Sequence, residues 1–217
     1  MEAMTQTVRS SPLALTVLGM LHTRPLHPYG IQRLIKQWGK DQVVNVGQRT
    51  ALYRTIERLE EGGLVAVRGT GRDQQYPERT VYEITDAGAT EMTDWLTELI
   101  GTPAREYPAF MAGLSFLPAL DPDDALAALR RRAEMLTVKL ASLRGVEKAA
   151  RDAGLPRIFA LESEYEEGQL VAELKFVTAL ADEMQNGTLE GLDMWRLFQT
   201  EDFDPEEVHF TFELPKE

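Results

Sequence analysis

Gly47-Gln-Arg-Thr-Ala-Leu-Tyr-Arg-Thr-Ile-Glu-Arg-Leu-Glu-Glu61, then Gly62-Gly63, then Leu64-Val-Ala-Val-Arg68 and Thr80-Val-Tyr-Glu-Ile-Thr85 decide the reading of this chain. The first stretch places Leu52, Ile56 and Leu59 at spacings of 4 and 3, the single apolar stripe of a helix with one buried face. Gly62 and Gly63 stop it. The two later stretches alternate apolar with polar residues and pair as strands of a hairpin across Gly69 to Arg79, whose tip is charged. A basic-faced helix followed at once by such a hairpin is the way a winged helix-turn-helix meets duplex DNA.

Working outward, Ser10 or Ser11 caps a first helix with Pro12 in its first turn, and Leu13, Val17, Leu18 and Leu21 give it one apolar face. His27-Pro28-Tyr29-Gly30 turns into a second helix running through Trp38 and buried through Ile31, Leu34 and Ile35. Asp41 to Val46 connects it to the quoted helix. A fourth helix from about Asp86 to Leu99 carries Met92, Trp95, Leu96 and Leu99. The predicted fold is mainly α with a small β-hairpin: a winged helix-turn-helix over residues 10–100 and a helical dimerisation domain over residues 105–186. An acidic, aromatic-containing extension over residues 187–217 follows.

The second half opens with a break at Gly101-Thr-Pro103 and a short apolar segment, Phe110 to Leu117. Asp121-Pro122 then signals a helix start. Leu126, Leu129, Ala133, Leu136, Leu140 and Leu143 follow at alternating spacings of 3 and 4, a seam of coiled-coil type that ends at Gly154 to Pro156. Leu170, Leu174, Val177, Ala181 and Met184 repeat the rhythm on a last long helix, about Leu161 to Gln185. The two stripes fit either a hairpin packed on itself or an arm that also packs against a second subunit. Symmetric dimers on half-sites one DNA turn apart favour the second. Beyond Asn186, Val208, Phe210, Phe212 and Leu214 alternate with polar residues as a half-buried strand would, and the many aromatics favour packing over a free tail.

Charge divides the chain in the same place. Residues 1–85 hold 11 Lys/Arg against 8 Asp/Glu, and residues 86–217 hold 12 against 27, so a weakly basic module sits on an acidic remainder within a net charge of −12. That remainder repels phosphate and restricts DNA to one face. With no cysteine and only His22, His27 and His209, disulfides, thiol catalysis and cysteine zinc sites are excluded, and neither a metal nor a cofactor is expected. No nucleophile elbow or Walker loop occurs, Gly69-Thr-Gly71 lacks a third glycine, and Glu162, Glu164, Glu166 and Glu167 spread round a helix as a solvated face. The chain is therefore read as no enzyme. Pro12 to Leu21 is too short and lacks the cleavage site of a signal peptide, no segment has the length of a membrane span, and the expected compartment is the cytoplasm.

On the quoted helix, the face opposite Leu52, Ile56 and Leu59 offers Thr50, Tyr53, Arg54 and Glu57, with Gln48 and Arg49 in the first turn and Arg58 on a flank. Arginine and glutamine make bidentate bonds to guanine and adenine edges, and threonine and tyrosine hydroxyls reach phosphate. Gln48, Arg49 and Arg54 are the candidate base readers, with Thr50, Tyr53, Arg58 and the turn residue Tyr29 beside them. At the wing, Arg68 and Arg72 meet phosphate or the minor groove. Glu57 and Glu61 count against deep contact by the helix's second half.

Residues 11–186 resemble the PadR family of bacterial transcriptional regulators. The carrying segments are Leu13-Ala-Leu-Thr-Val-Leu-Gly-Met-Leu21, His27-Pro-Tyr-Gly-Ile31, Thr50-Ala-Leu-Tyr53, Arg58-Leu-Glu-Glu-Gly-Gly-Leu64 and Thr80-Val-Tyr-Glu-Ile-Thr-Asp-Ala-Gly88. The second half looks like the longer subfamily with an extended C-terminal helical domain. The resemblance implies a homodimer that binds double-stranded DNA as a repressor and is released by a small lipophilic or aromatic effector. Trp95, Phe110, Phe116 and Phe176 are candidate effector-lining residues, with ordinary core packing the competing role for each. Arg49-Thr-Ala-Leu-Tyr53 departs from the family's usual Gly-Thr-Leu-Tyr, so base-reading residues do not carry over from relatives. The rival reading is a ligand-binding or adaptor protein that keeps the fold without reading DNA.

Overall fold

The computed structural model describes residues 8–40, 44, 49–71 and 79–199. The chain divides into two compact units between Arg105 and Glu106. The first contains α1 (Pro12–Thr23), α2 (Pro28–Gln37), α3 (Arg49–Glu61), β1 (Val65–Gly71), β2 (Arg79–Ile84) and α4 (Asp86–Gly101). The second contains α5 (Ala109–Ser115), α6 (Pro122–Asp152), α7 (Leu161–Asn186) and α8 (Leu192–Phe198), with single 3-10 turns at Leu117–Ala119 and Arg157–Phe159.

Local signals start and stop the helices. Ser11 caps α1, its hydroxyl accepting from the Ala14 N–H at 3.2 Å, with Pro12 at the first position. His27 caps α2 through Nδ1, which accepts from the Gly30 N–H at 2.9 Å. At the end of α3, Gly63 takes φ 70° while the N–H groups of Gly63 and Leu64 bond the carbonyls of Glu60 and Leu59. That pair of bonds needs the left-handed conformation glycine adopts without cost, and it turns the chain directly into β1.

Thr85 then joins the end of α3 to the start of α4. Its hydroxyl donates to the Gly63 carbonyl at 2.7 Å and accepts from the Gly88 N–H at 3.0 Å, and its own N–H bonds the Leu64 carbonyl. Gly88 lies so close that a Cβ on it would overlap the Leu64 carbonyl. The strands pair antiparallel from Val65↔Ile84 to Gly71↔Arg79, with a register shift between Val67 and Gly69 that leaves Arg68 as a bulge. They run further than the predicted 64–68 and 80–85 at the tip, and Leu64 and Thr85 fall outside them. Leu26, ahead of α2, adds a one-residue third strand, exchanging two 2.9 Å backbone bonds with Tyr82. The core beneath is Val17, Leu18 and Leu21 of α1, Ile31 and Ile35 of α2, Leu52, Ile56 and Leu59 of α3, Val65, and Met92 and Trp95 of α4.

In the second unit α6 and α7 form an antiparallel pair. Ala125, Leu129, Leu136 and Leu140 pack with Leu170, Val177, Ala181 and Met184; of the stripes seen in the sequence, Leu126, Ala133, Leu143 and Leu174 are only partly buried, and Ala125 is buried beside Leu126. The cations of the ion pairs between them all sit on α6 and the carboxylates on α7: Arg132 with Glu173, Lys139 with Glu166 at 2.7 Å, and Arg144 with Glu167 at 2.6 Å. Part of the predicted extension packs here. Leu192 and Trp195 of α8 are buried, the Trp195 indole donates to the Leu120 carbonyl at 2.9 Å, and the Gln199 amide donates to the Pro118 carbonyl at 2.8 Å. The strand expected at Val208 to Leu214 lies outside the described residues. Among the described residues no helix is long and apolar enough to cross a membrane, and no group of His, Asp or Glu could hold a metal ion.

Glu147 breaks the charge pattern of the pair. It is an acid on the cationic helix, its Oε1 is buried without a hydrogen-bond partner, and burial, followed by the nearby Glu167 carboxylate, raises its pKa above 4.5. The folded state therefore binds this proton more tightly than the unfolded chain. The stability it contributes is complete below the ordinary value and is lost as pH rises through the raised one. Glu147→Gln is expected to raise the melting temperature relative to the parent at neutral pH and to leave it unchanged below 4.5, measured by calorimetry at both. Gly88→Ala is expected to cost about 3 kcal/mol or more in urea unfolding, because backbone rather than a mobile side chain meets the added methyl.

Candidate nucleic-acid interface

The buried stripe of α3 fixes which of its residues face outward. With Leu52, Ile56 and Leu59 at 2% exposure or less, Thr50, Tyr53, Arg54, Glu57 and Arg58 all stand in solvent. Thr55 is buried at 3% and orders the flank, since its hydroxyl accepts from the Arg58 guanidinium at 3.3 Å. Thr50, Tyr53 and Arg54 thus share one open surface with Arg58 at its edge. Arg49 begins the helix, and nothing is described of its side chain; Gln48 and Arg72 lie outside the described residues.

The wing follows α3 directly, and its strand β1 packs on that helix. Arg68, in the bulge, lies 3.5 Å from Glu83 on the opposite strand, and both are exposed. Such a pair holds together weakly in water and leaves the guanidinium free to exchange partners. Tyr29 is half exposed and stacked on His27, ring centroids 5.9 Å apart. Sequence reasoning passed over Tyr82, whose phenol pKa is raised above 10.0 by burial and then by the charges of Glu60 and Glu57, with Tyr53 adding to them. Tyr82 is thus within electrostatic reach of the acids of α3. The signal for it was an aromatic at the centre of a period-2 strand directly after a helix with exposed acids.

The four aromatic candidates for an effector site separate. Trp95 is buried in the core of the first unit. In the second, Phe110 and Phe176 meet edge to face at 6.5 Å, and the Arg132 guanidinium lies 3.8 Å above the Phe110 ring while bonded to Glu173. Phe116 is 75% exposed. An open groove of about 480 Å³ between α6 and α7 has Leu140, Val171 and Leu174 at its base and Arg144, Lys175 and Asp182 at its rim. None of the four aromatics lines it.

Comparison with known proteins agrees with this geometry. Residues 17–94 match the Transcriptional regulator PadR-like family. The negative transcriptional regulator PadR of Bacillus subtilis (strain 168) is 24% identical over 153 residues, covering 68% of this chain and 80% of the relative. The crystal structure of Bacillus subtilis PadR in complex with operator DNA superposes with a TM-score of 0.68 at 19% identity, over 80% of this chain and 99% of that one. The same protein in complex with p-coumaric acid gives 0.60 at 22% identity, over 80% of this chain and 100% of that one. The PadR-like regulator BC1756 from Bacillus cereus gives 0.57 at 18%, over 81% and 99%. The first unit has the winged-helix fold of these structures.

Proposed function

We propose that this chain, a PadR-like transcriptional regulator by its domain over residues 17–94, is a homodimeric repressor that binds operator DNA and is released by a small lipophilic or aromatic effector. The open surface of α3 carries the reading. A helix whose apolar stripe is fully buried leaves Thr50, Tyr53 and Arg54 free beside a hairpin, and those side chains match base edges and phosphates. Gln48, Arg49 and Arg54 read bases, Tyr53, Thr50, Arg58 and Tyr29 hold phosphates, and Arg68 and Arg72 follow the backbone at the wing.

The helical arm supports pairing. Opposite its buried stripe, α6 presents Met135 (67% exposed) and Val138 (70% exposed), continued by Ser142, Gly145 and Ala149. The outer face of α7 likewise runs Tyr165, Gly168, Ala172 and Ala179, all exposed. Apolar and small residues at helical spacing outside a filled core fit the close approach of further helices, and a second copy supplies them with the symmetry a two-fold operator requires. Residues 10–100 serve DNA, 105–186 the dimer, and 187–217 are an acidic, aromatic-containing extension. An effector acts by binding one dimer geometry better than another, changing the spacing of the two α3 helices. The p-coumaric acid complex of a structural neighbour is a precedent for an aromatic acid in that role. In this role the protein acts in the cytoplasm.

A mobility-shift titration with DNA from upstream of its own gene, over a salt series, tests the reading. Binding is expected to be specific and to weaken as salt rises, because each phosphate contact releases counterions. Arg54→Ala is expected to cost about 1–3 kcal/mol at the selected site only, and Arg72→Ala to weaken all sequences alike. Absent or salt-independent binding to every promoter tested would leave the ligand-binding or adaptor reading instead.

A further inference from the structure

The exposed face of α3 is not uniformly cationic. Thr50, Arg54 and Glu57 succeed one another at spacings of 4 and 3 on the side opposite the buried stripe. Arginine and glutamate three apart on a helix are placed to pair, yet among the described residues neither Arg54 nor Glu57 has an ion-pair partner. Their neighbours are engaged: Arg58 by Thr55, and Arg68 by Glu83. The charge of Glu57 is felt at Tyr82, where after burial and Glu60 it helps to raise the phenol.

An uncompensated carboxylate on a surface aimed at duplex DNA is repelled by phosphate. It becomes favourable where a base edge donates to it. In the major groove cytosine presents only the N4 amino donor, whereas adenine sets an N7 acceptor beside its N6 donor, and guanine offers acceptors alone. A carboxylate accepts but cannot donate, so it is satisfied best by cytosine. Three residues of helix advance about 4.5 Å, a little more than one base step of about 3.4 Å.

We infer that Glu57 reads a cytosine in the major groove, about one base step from the base read by Arg54, and that its charge rejects duplexes lacking that cytosine. This rests on the DNA-binding reading above. Arg54 supplies attraction and Glu57 supplies discrimination, so affinity and selectivity reside in adjacent turns of one helix.

Selection from a randomised duplex pool by the full-length parent, Glu57→Gln and Glu57→Ala tests this. Sequencing of the bound DNA is accompanied by titration of the parent's site and of random duplex. The parent is expected to enrich a cytosine at one position. Glu57→Gln is expected to move that position to adenine, because a glutamine amide pairs with both N6 and N7. Glu57→Ala is expected to lose the preference, to bind random duplex more tightly, and to reduce discrimination about 5- to 100-fold. If Glu57→Ala proves unfolded by circular dichroism, the base switch in Glu57→Gln decides. A parent that enriches a defined site whose bases are the same in both variants overturns the inference and leaves DNA binding standing. A parent that enriches no sequence overturns the reading beneath it.

Discussion

One threonine hydroxyl holds the DNA-facing unit in register. Thr85 accepts from the N–H of Gly88, the third residue of α4, and donates to the carbonyl of Gly63 in the turn that ends α3, so one side chain ties the end of one helix to the start of another. The absence of a Cβ at Gly88 lets the Leu64 carbonyl approach, and Gly63 supplies the left-handed turn that brings it there. The strands leave from this junction and return to it, and Leu26 clips the α1–α2 connection to the same sheet. The outward face of α3 is therefore fixed relative to the wing by backbone geometry, and the side chains on it are left free for recognition.

Much of this was legible from residues that punctuate. Ser11-Pro12, Gly62-Gly63, Asp121-Pro122 and Gly154 each bound an element where the sequence places them, because caps and left-handed turns are local events. The stripes on α1, α3, α6 and α7 gave the buried faces, because helical spacing is local too. The Leu26–Tyr82 bridge and the indole bond from Trp195 to Leu120 join residues far apart in the chain, and a one-residue strand has no period to detect. At the candidate interface, the sequence pointed to α3 but not to which side chains stay unengaged. That depended on neighbours: Thr55 for Arg58, Glu83 across the bulge for Arg68, and the core around Trp95.

The acidity of the second half also acquires a use. With cations confined to α6 and their partners to α7 in the ion pairs that join them, a slipped register would still set opposite charges together, so the charges draw the two helices to each other and the apolar seam chooses the alignment. Each pair is partly exposed and contributes little to stability on its own. Glu147 departs from that pattern, an acid of α6 set beside the Glu167 carboxylate.

Phe110 connects this arm to the stretch that precedes it. α5 is seven residues long and has no side-chain cap, too short to persist by itself. What holds it is the guanidinium of Arg132 over its ring and the edge of Phe176 against it. Between α4 and α5, residues 102–108 form no helix or strand. As a helix α5 spans about 10 Å, and unwound it would span about 24 Å. A single aromatic ring seated under a cation therefore keeps these seven residues at the shorter of the two lengths.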